Sequence, residues 1–172
     1  VLSGLAKGID AAAHEWALRR GSPTVSVLGT GILRSYPANH KDLGEQIVDS
    51  GGLLISEYLP NDGPLKERFV ERNRLQAALS RAVLAAEWTK GSGTAHTVRY
   101  ARQLKRPVYG IRLPGQKTAN NAGVTDREFV IPREETELLR TLRRDLSRPV
   151  ESQRPEVTQV SIFDRGGRCS GF

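Results

Sequence analysis

The chain has 172 residues, a single Cys, and 26 Lys/Arg against 19 Asp/Glu for a formal charge of +7. That length allows one domain with a real core plus a tail, one thiol excludes an internal disulfide, and no Cys/His cluster suggests a metal. No apolar run approaches the ~20 residues needed to cross a bilayer and no secretory leader is visible, so the expectation is a cytoplasmic protein without membrane contact.

A short apolar run, a Gly-rich turn and a helical pattern recur along the chain. Val1-Leu2-Ser3 reads as a strand and leads through Gly4–Gly8 into a helix over about Ile9–Arg19. The chain holds no Met and opens inside that strand, which gives the expectation of an N-terminally truncated domain whose first unit lies elsewhere. Thr24–Leu28 is a buried strand followed by Gly29-Thr30-Gly31; a helix over about His40–Ser50 precedes the strand Leu53–Tyr58. Pro60–Pro64 is a loop. A helix over Leu75–Ser80, with Leu75, Ala78 and Leu79 as its buried stripe, leads to the strand Ala82–Ala86. Gly91-Ser92-Gly93-Thr94 opens a helix to about Lys105, with Thr97, Ala101 and Leu104 facing inward. Pro107–Ile111 is the next strand, Asn120–Gly123 a loop, Phe129–Ile131 a short strand and Glu134–Leu146 a helix.

Strands that alternate with helices and are apolar throughout imply a parallel sheet buried on both faces. The expected fold is α/β: a Rossmann-like, doubly wound, mostly parallel sheet with helices on both faces, over residues 1–146. Residues 147–172 are polar and read as a flexible tail. In such folds ligands bind at the carboxyl ends of strands, and the turns Gly4–Gly8, Gly29–Gly31 and Gly91–Gly93 all fall there.

Charge points to the same region. Residues 60–110 carry ten Lys/Arg against four Asp/Glu, so most of the excess charge sits in the middle of the chain. A concentrated basic surface is the footprint of a polyanion binder, although a merely solvated basic face carries the same charge. Within it, Arg72 and Arg74 flank Asn73, a good cap residue. A helix beginning there offers bare N–H groups and partial positive charge to a phosphate, with guanidinium groups beside it. At about 100° per residue the two arginines point some 200° apart and cannot share one solvated face. Phe69 would offer a ring on which a base stacks. The alternative is that Arg72 or Arg74 pairs with Glu71 or Glu57 and only ties a loop down.

Two further turns are candidates. Gly91, Ser92, Gly93 and Thr94 have the residue types of a phosphate-holding turn, though ordinary strand-to-helix turns look the same. The loop from Gly29 and Thr30 through Arg34, Tyr36, His40 and Lys41 mixes rings and cations, as single-strand binders do; a Tyr-Pro turn packed on the sheet edge is the plainer reading. No nucleophile with a base, no functional carboxylate pair and no Walker-type loop is present, so neither catalysis nor a cofactor is expected. Asp10 is placed to orient the first turn.

Gly4-Leu5-Ala6-Lys7-Gly8-Ile9-Asp10, Val27-Leu28-Gly29-Thr30-Gly31, Tyr36-Pro37, Ser56-Glu57-Tyr58 and Arg72-Asn73-Arg74, in that order and spacing, resemble the DprA/Smf family of DNA-processing proteins across about residues 1–146. The resemblance implies an extended Rossmann domain, single-stranded DNA binding, loading of a RecA-type recombinase in natural transformation, a homodimer and no enzymatic turnover. It places the DNA pocket on Lys41, Phe69, Arg72 and Arg74, with the Gly-rich turns lining the same crevice. Three departures stand out. The family's Gly-x-Arg strand would lie upstream of Val1, its Arg-Ser-Gly-Ser turn appears as Lys90-Gly91-Ser92-Gly93-Thr94, and its winged-helix domain has no counterpart. The rival readings are a nucleotide-binding sensor of the same fold superfamily and an enzyme related to the phosphoribohydrolases of cytokinin activation. The latter's Pro-Gly-Gly-x-Gly-Thr turn and following Glu are missing.

Overall fold

The structure is a computed structural model that describes residues 1–86, 88, 91–115 and 125–147. The expected tail beyond residue 147, the Asn120–Gly123 loop, Glu87 and Lys90 lie outside the described residues.

Among the described residues six strands and six α-helices follow one another: β1 Leu2–Ser3, α1 Ile9–Arg19, β2 Val25–Val27, α2 Lys41–Asp49 (after a 3₁₀ turn at Ala38–His40), β3 Leu53–Ile55, α3 Lys66–Glu71, α4 Asn73–Leu79, β4 Val83–Ala86, α5 Gly93–Gln103, β5 Val108–Arg112, β6 Arg127–Val130 and α6 Glu135–Ser147. The strands form two three-stranded sheets in the orders β1-β2-β3 and β4-β5-β6. Every neighbouring pair is parallel, with Ser3 opposite Ser26, Val27 opposite Ile55 and Val83 opposite Val108. Parallel strands require crossovers, and helices supply them between β1 and β5. The Rossmann-like α/β class read from the sequence is the observed one. The sheet itself differs: no rung joins β1 to β4 among the described residues. β1 is only two residues long, and α4 packs against it.

Glycines set the helix boundaries where the backbone needs a positive φ. Gly8 (φ 87°) precedes α1 and Gly51 (φ 79°) follows α2, conformations that cost an L side chain energy. Three apolar clusters form the core. Leu5, Leu28 and Ile47 pack under the first sheet; Ala77, Val83, Ala85, Trp88, Val98, Ala101 and Val108 join α4 and α5 to β4 and β5; Tyr109, Phe129 and Leu138 join α6 to β6.

The central segment departs most from expectation. In place of one helix over Leu75–Ser80 there are two, α3 and α4, and Arg72 between them is itself helical (φ −62°, ψ −22°). Its N–H donates to Arg68 O at 3.0 Å, and its carbonyl accepts from Leu75 N at 2.9 Å. The helical path is nearly continuous, and the Arg72 amide, expected bare at a helix start, is taken by Arg68 O. Asn73 is not the cap either; Arg72 holds that position. The buried stripe is Arg72, Asn73 and Ala77, whereas Ala78 and Leu79 lie further out and Leu75 is half-buried. In α5, Val98 and Ala101 are buried, while Leu104, expected inside, is exposed beyond the helix end.

Candidate functional site

The carboxyl ends of β1 and β2 are closed from above by α3. Rungs between the two strands stop at Ser3 and Ser26. The next carbonyls, Gly4 O and Val27 O, lie beyond that ladder, and Arg72 Nη1 donates to both, to Gly4 O at 2.7 Å and to Val27 O at a still shorter approach. The guanidinium thus takes the place of the next rung. It fits because Gly4 has no side chain: a Cβ there would overlap the guanidinium. One turn earlier on the same face, Phe69 lies on Gly29, where a Cβ would sit 2.6 Å from the ring. Tyr36 tilts against Phe69 at a centroid distance of 5.2 Å. Gly4 and Gly29, placed by the sequence in turns that line the ligand crevice, are here the clearances that let Arg72 and Phe69 descend onto the strand ends.

Arg72 is 5% exposed. Loss of hydration lowers its pKa from the ordinary guanidinium value, and the nearby Asp10 carboxylate opposes that shift. It remains a cation, because a guanidinium does not deprotonate in a protein. Neither exposed on the surface nor paired with Glu71 or Glu57, Arg72 is a cross-tie between strand ends. Its Nε is buried without a partner.

The first glycine turn is also filled from within. Asp10 Oδ2 accepts from Gly4 N at 3.1 Å and Ala6 N at 3.3 Å, so an internal carboxylate takes two amides that a ligand phosphate would need. His40 Nδ1 lies 2.8 Å from Leu5 O, which brings the start of α2, and with it Lys41, to this turn. Lys41 is exposed and its ammonium is 3.6 Å from Glu45. Thr30 is buried; its hydroxyl donates to Arg34 O at 2.6 Å and its carbonyl accepts from Ser56 Oγ at 2.7 Å. It shapes the loop and offers no surface group.

Arg74 points the other way, as the helical angle requires. It forks onto Glu57, with Nη2 at 2.5 and 2.6 Å from the two carboxylate oxygens, both side chains being part-exposed. That pairing raises the Arg74 pKa above its ordinary value. This is the loop-tying interaction the sequence allowed, yet an ion pair so open to water is weak and exchangeable.

The third turn is the open one. Ser92 caps α5 with extended backbone, and a Cβ at Gly91 or Gly93 would meet nothing within 4 Å. Gly93 O accepts from the buried Asn73 Nδ2 at 3.2 Å, so Asn73 fastens the Arg72–Arg74 segment to the Gly91–Thr94 turn. Sequence reasoning took Asn73 for a cap and missed this role. The Ser56-Glu57-Tyr58 motif was read from the sequence, but its internal contacts were not: Ser56 Oγ holds Tyr58 N at 3.0 Å, and the Tyr58 hydroxyl reaches Glu71 at 3.3 Å. A carboxylate beside a hydroxyl just past a strand end was the available signal.

Comparison with known proteins bears on this arrangement. Residues 1–129 match the family described as DNA recombination-mediator protein A. The chain is 44% identical over 111 residues to Protein Smf of Synechocystis, a match covering 64% of this chain and 28% of that protein. It is 43% identical over 111 residues to DNA processing protein DprA of Streptococcus pneumoniae, covering 64% and 39% respectively. The X-ray structure of the Streptococcus pneumoniae protein superposes with a TM-score of 0.62 at 41% identity, over 72% of this chain and 42% of that one. A structure concerned with the single-stranded DNA binding mode of Helicobacter pylori DNA processing protein A superposes with a TM-score of 0.68 at 28% identity, over 81% and 66%. This chain belongs to the DNA recombination-mediator protein A family, and spans about a third of the length of the two curated relatives.

Proposed function

We propose that this member of the family binds single-stranded DNA across the crevice at the carboxyl ends of its strands. The observation that carries the reading is the family match over residues 1–129, and the solved relative from Helicobacter pylori binds single-stranded DNA. The geometry lends support. Gly91 and Ser92 lead into an 11-residue helix that begins at Gly93 and Thr94, with open space before the glycines, a setting suited to a phosphate. Arg74 and Lys41 offer exposed cations, and Tyr36, half-exposed against Phe69, offers a ring for a base. Arg72, Gly29 and Thr30 support the crevice from inside. The same reading carries the wider proposals: DNA processing in natural transformation, delivery of the strand to a RecA-type recombinase, a homodimer, a cytoplasmic setting and binding without catalytic turnover.

Anisotropy with a labelled oligo-dT tests the site. The Lys41→Ala, Arg74→Ala double variant is expected to bind at least tenfold more weakly. Its log K should also fall less steeply with log salt, by about 0.7 for each phosphate no longer neutralised. Glu57→Gln frees Arg74 and should tighten binding a few-fold. Unchanged affinity and salt slope in the double variant would refute the assigned surface.

A further inference from the structure

At the opposite end of the second sheet, where β5 begins, lies a cavity of about 600 Å³ between the end of α5, β6 and α6. Its wall holds Arg102, Lys105, Arg106, Arg127 and Arg144 against only Asp126 and Asp145. The two acids are consumed internally. Asp126 accepts from Arg102 Nη1 and from Val108 N, both at 2.6 Å. Asp145 accepts from Arg144 Nε at 3.0 Å and from the Tyr109 hydroxyl. Arg127 pairs with Glu137 at 3.0 Å.

Lys105 and Arg106 therefore have no carboxylate partner among the described residues. The Arg106 guanidinium makes a long approach, Nη2 to Ala78 O at 3.4 Å, and its Nε is buried with no acceptor. A buried donor on a cation without an acceptor is costly to leave so. The buried Thr141 adds a hydroxyl to the wall. The volume suits a nucleotide-sized group, and guanidinium forks match phosphate geometry.

We infer that this cavity is a second phosphate-binding site, separate from the crevice proposed above, with Lys105 and Arg106 as its principal ligands. The phosphate belongs to a free nucleotide or to a polynucleotide backbone, and the site does not depend on how the crevice is read.

The test is an amide spectrum of the ¹⁵N-labelled chain titrated with inorganic phosphate, dTMP or oligo-dT, each against chloride at matched ionic strength. Saturable shifts at Arg106, Val108 and Thr141 are expected with phosphate and dTMP. Oligo-dT that displaces phosphate from these amides identifies a backbone as the source; oligo-dT that leaves them unmoved identifies a nucleotide. Lys105→Gln with Arg106→Gln should weaken the titration about tenfold. Lys105→Gln alone, at an exposed position, should weaken it about two- to threefold and serves if the double variant is poorly folded. Shifts reproduced by chloride, or unchanged in the variants, overturn the site.

Discussion

Replacing Arg72 with alanine is expected to lower the unfolding free energy by about 3 kcal/mol, with any fall in DNA affinity following from the damage to the fold. The side chain is buried and serves two carbonyls, Gly4 O and Val27 O, at the point where the β1–β2 ladder ends. Alanine leaves both acceptors buried and unpaired and opens a void over Gly4. Against this, one costly buried charge is removed, which keeps the figure from rising further. For a chain of this size that change corresponds to a midpoint roughly 6–12 °C lower. Arg72→Lys should recover little of it, because the shorter stem does not carry its ammonium to the position from which Nη1 serves both carbonyls. Arg74→Ala, whose pair with Glu57 is open to water, should change stability by no more than about 0.5 kcal/mol. Scanning calorimetry of the three variants separates the roles. A midpoint unchanged in Arg72→Ala would mean that the guanidinium does not close the strand ends.

The two arginines show what was legible in the sequence and what was not. Alternating apolar runs and glycine turns disclosed the α/β order, because a strand buried on both faces has no other composition. The 200° separation disclosed that Arg72 and Arg74 take different environments. Which one goes inside depends on α3, and α3 is not visible as an isolated amphipathic helix: Lys66–Glu71 is six residues, mostly charged. The stripe appears only when Phe69, Arg72, Asn73 and Ala77 are read as one helical face across the junction. A polar pair in such a stripe looks like surface until its partners are known. Those partners are two carbonyls at the strand ends and a glycine carbonyl on the next helix, groups that every residue carries and no sequence pattern marks. The glycines were ambiguous for a related reason. Close approach to a ligand and close approach to a neighbouring side chain demand the same missing Cβ, and Gly4 and Gly29 serve the second. Gly91 and Gly93, with open space before them, remain suited to the first.

The same buried region makes stability depend on pH through His14. The ring is fully buried on α1, and Nδ1 lies 2.8 Å from Thr24 Oγ1. The Thr24 hydroxyl donates its own proton to Val1 O at 3.1 Å, so the imidazole must carry its proton on Nδ1. Nε2 is then a bare nitrogen with no partner. Protonation would place a charged N–H there with no acceptor, close to the Arg72 cation. Burial is the dominant cause that pulls the His14 pKa down to about 4; Asp10 opposes it, and Arg72 and His40 add to it. An unfolded chain releases the proton near 6.5. Between these values the unfolded state binds more protons than the folded one, so stability rises with pH through the window. The contribution is fully present above about pH 6.5 and is lost as pH falls toward 4, for a total of about 3 kcal/mol. His14→Gln removes the titration and keeps a polar side chain of similar reach. Urea unfolding of both proteins from about pH 7 to 4 is expected to show the wild-type advantage shrinking by about 3 kcal/mol across that range, while carboxylate titration common to both cancels in the difference. Parallel pH profiles for the two proteins would mean that His14 accepts a proton within the fold.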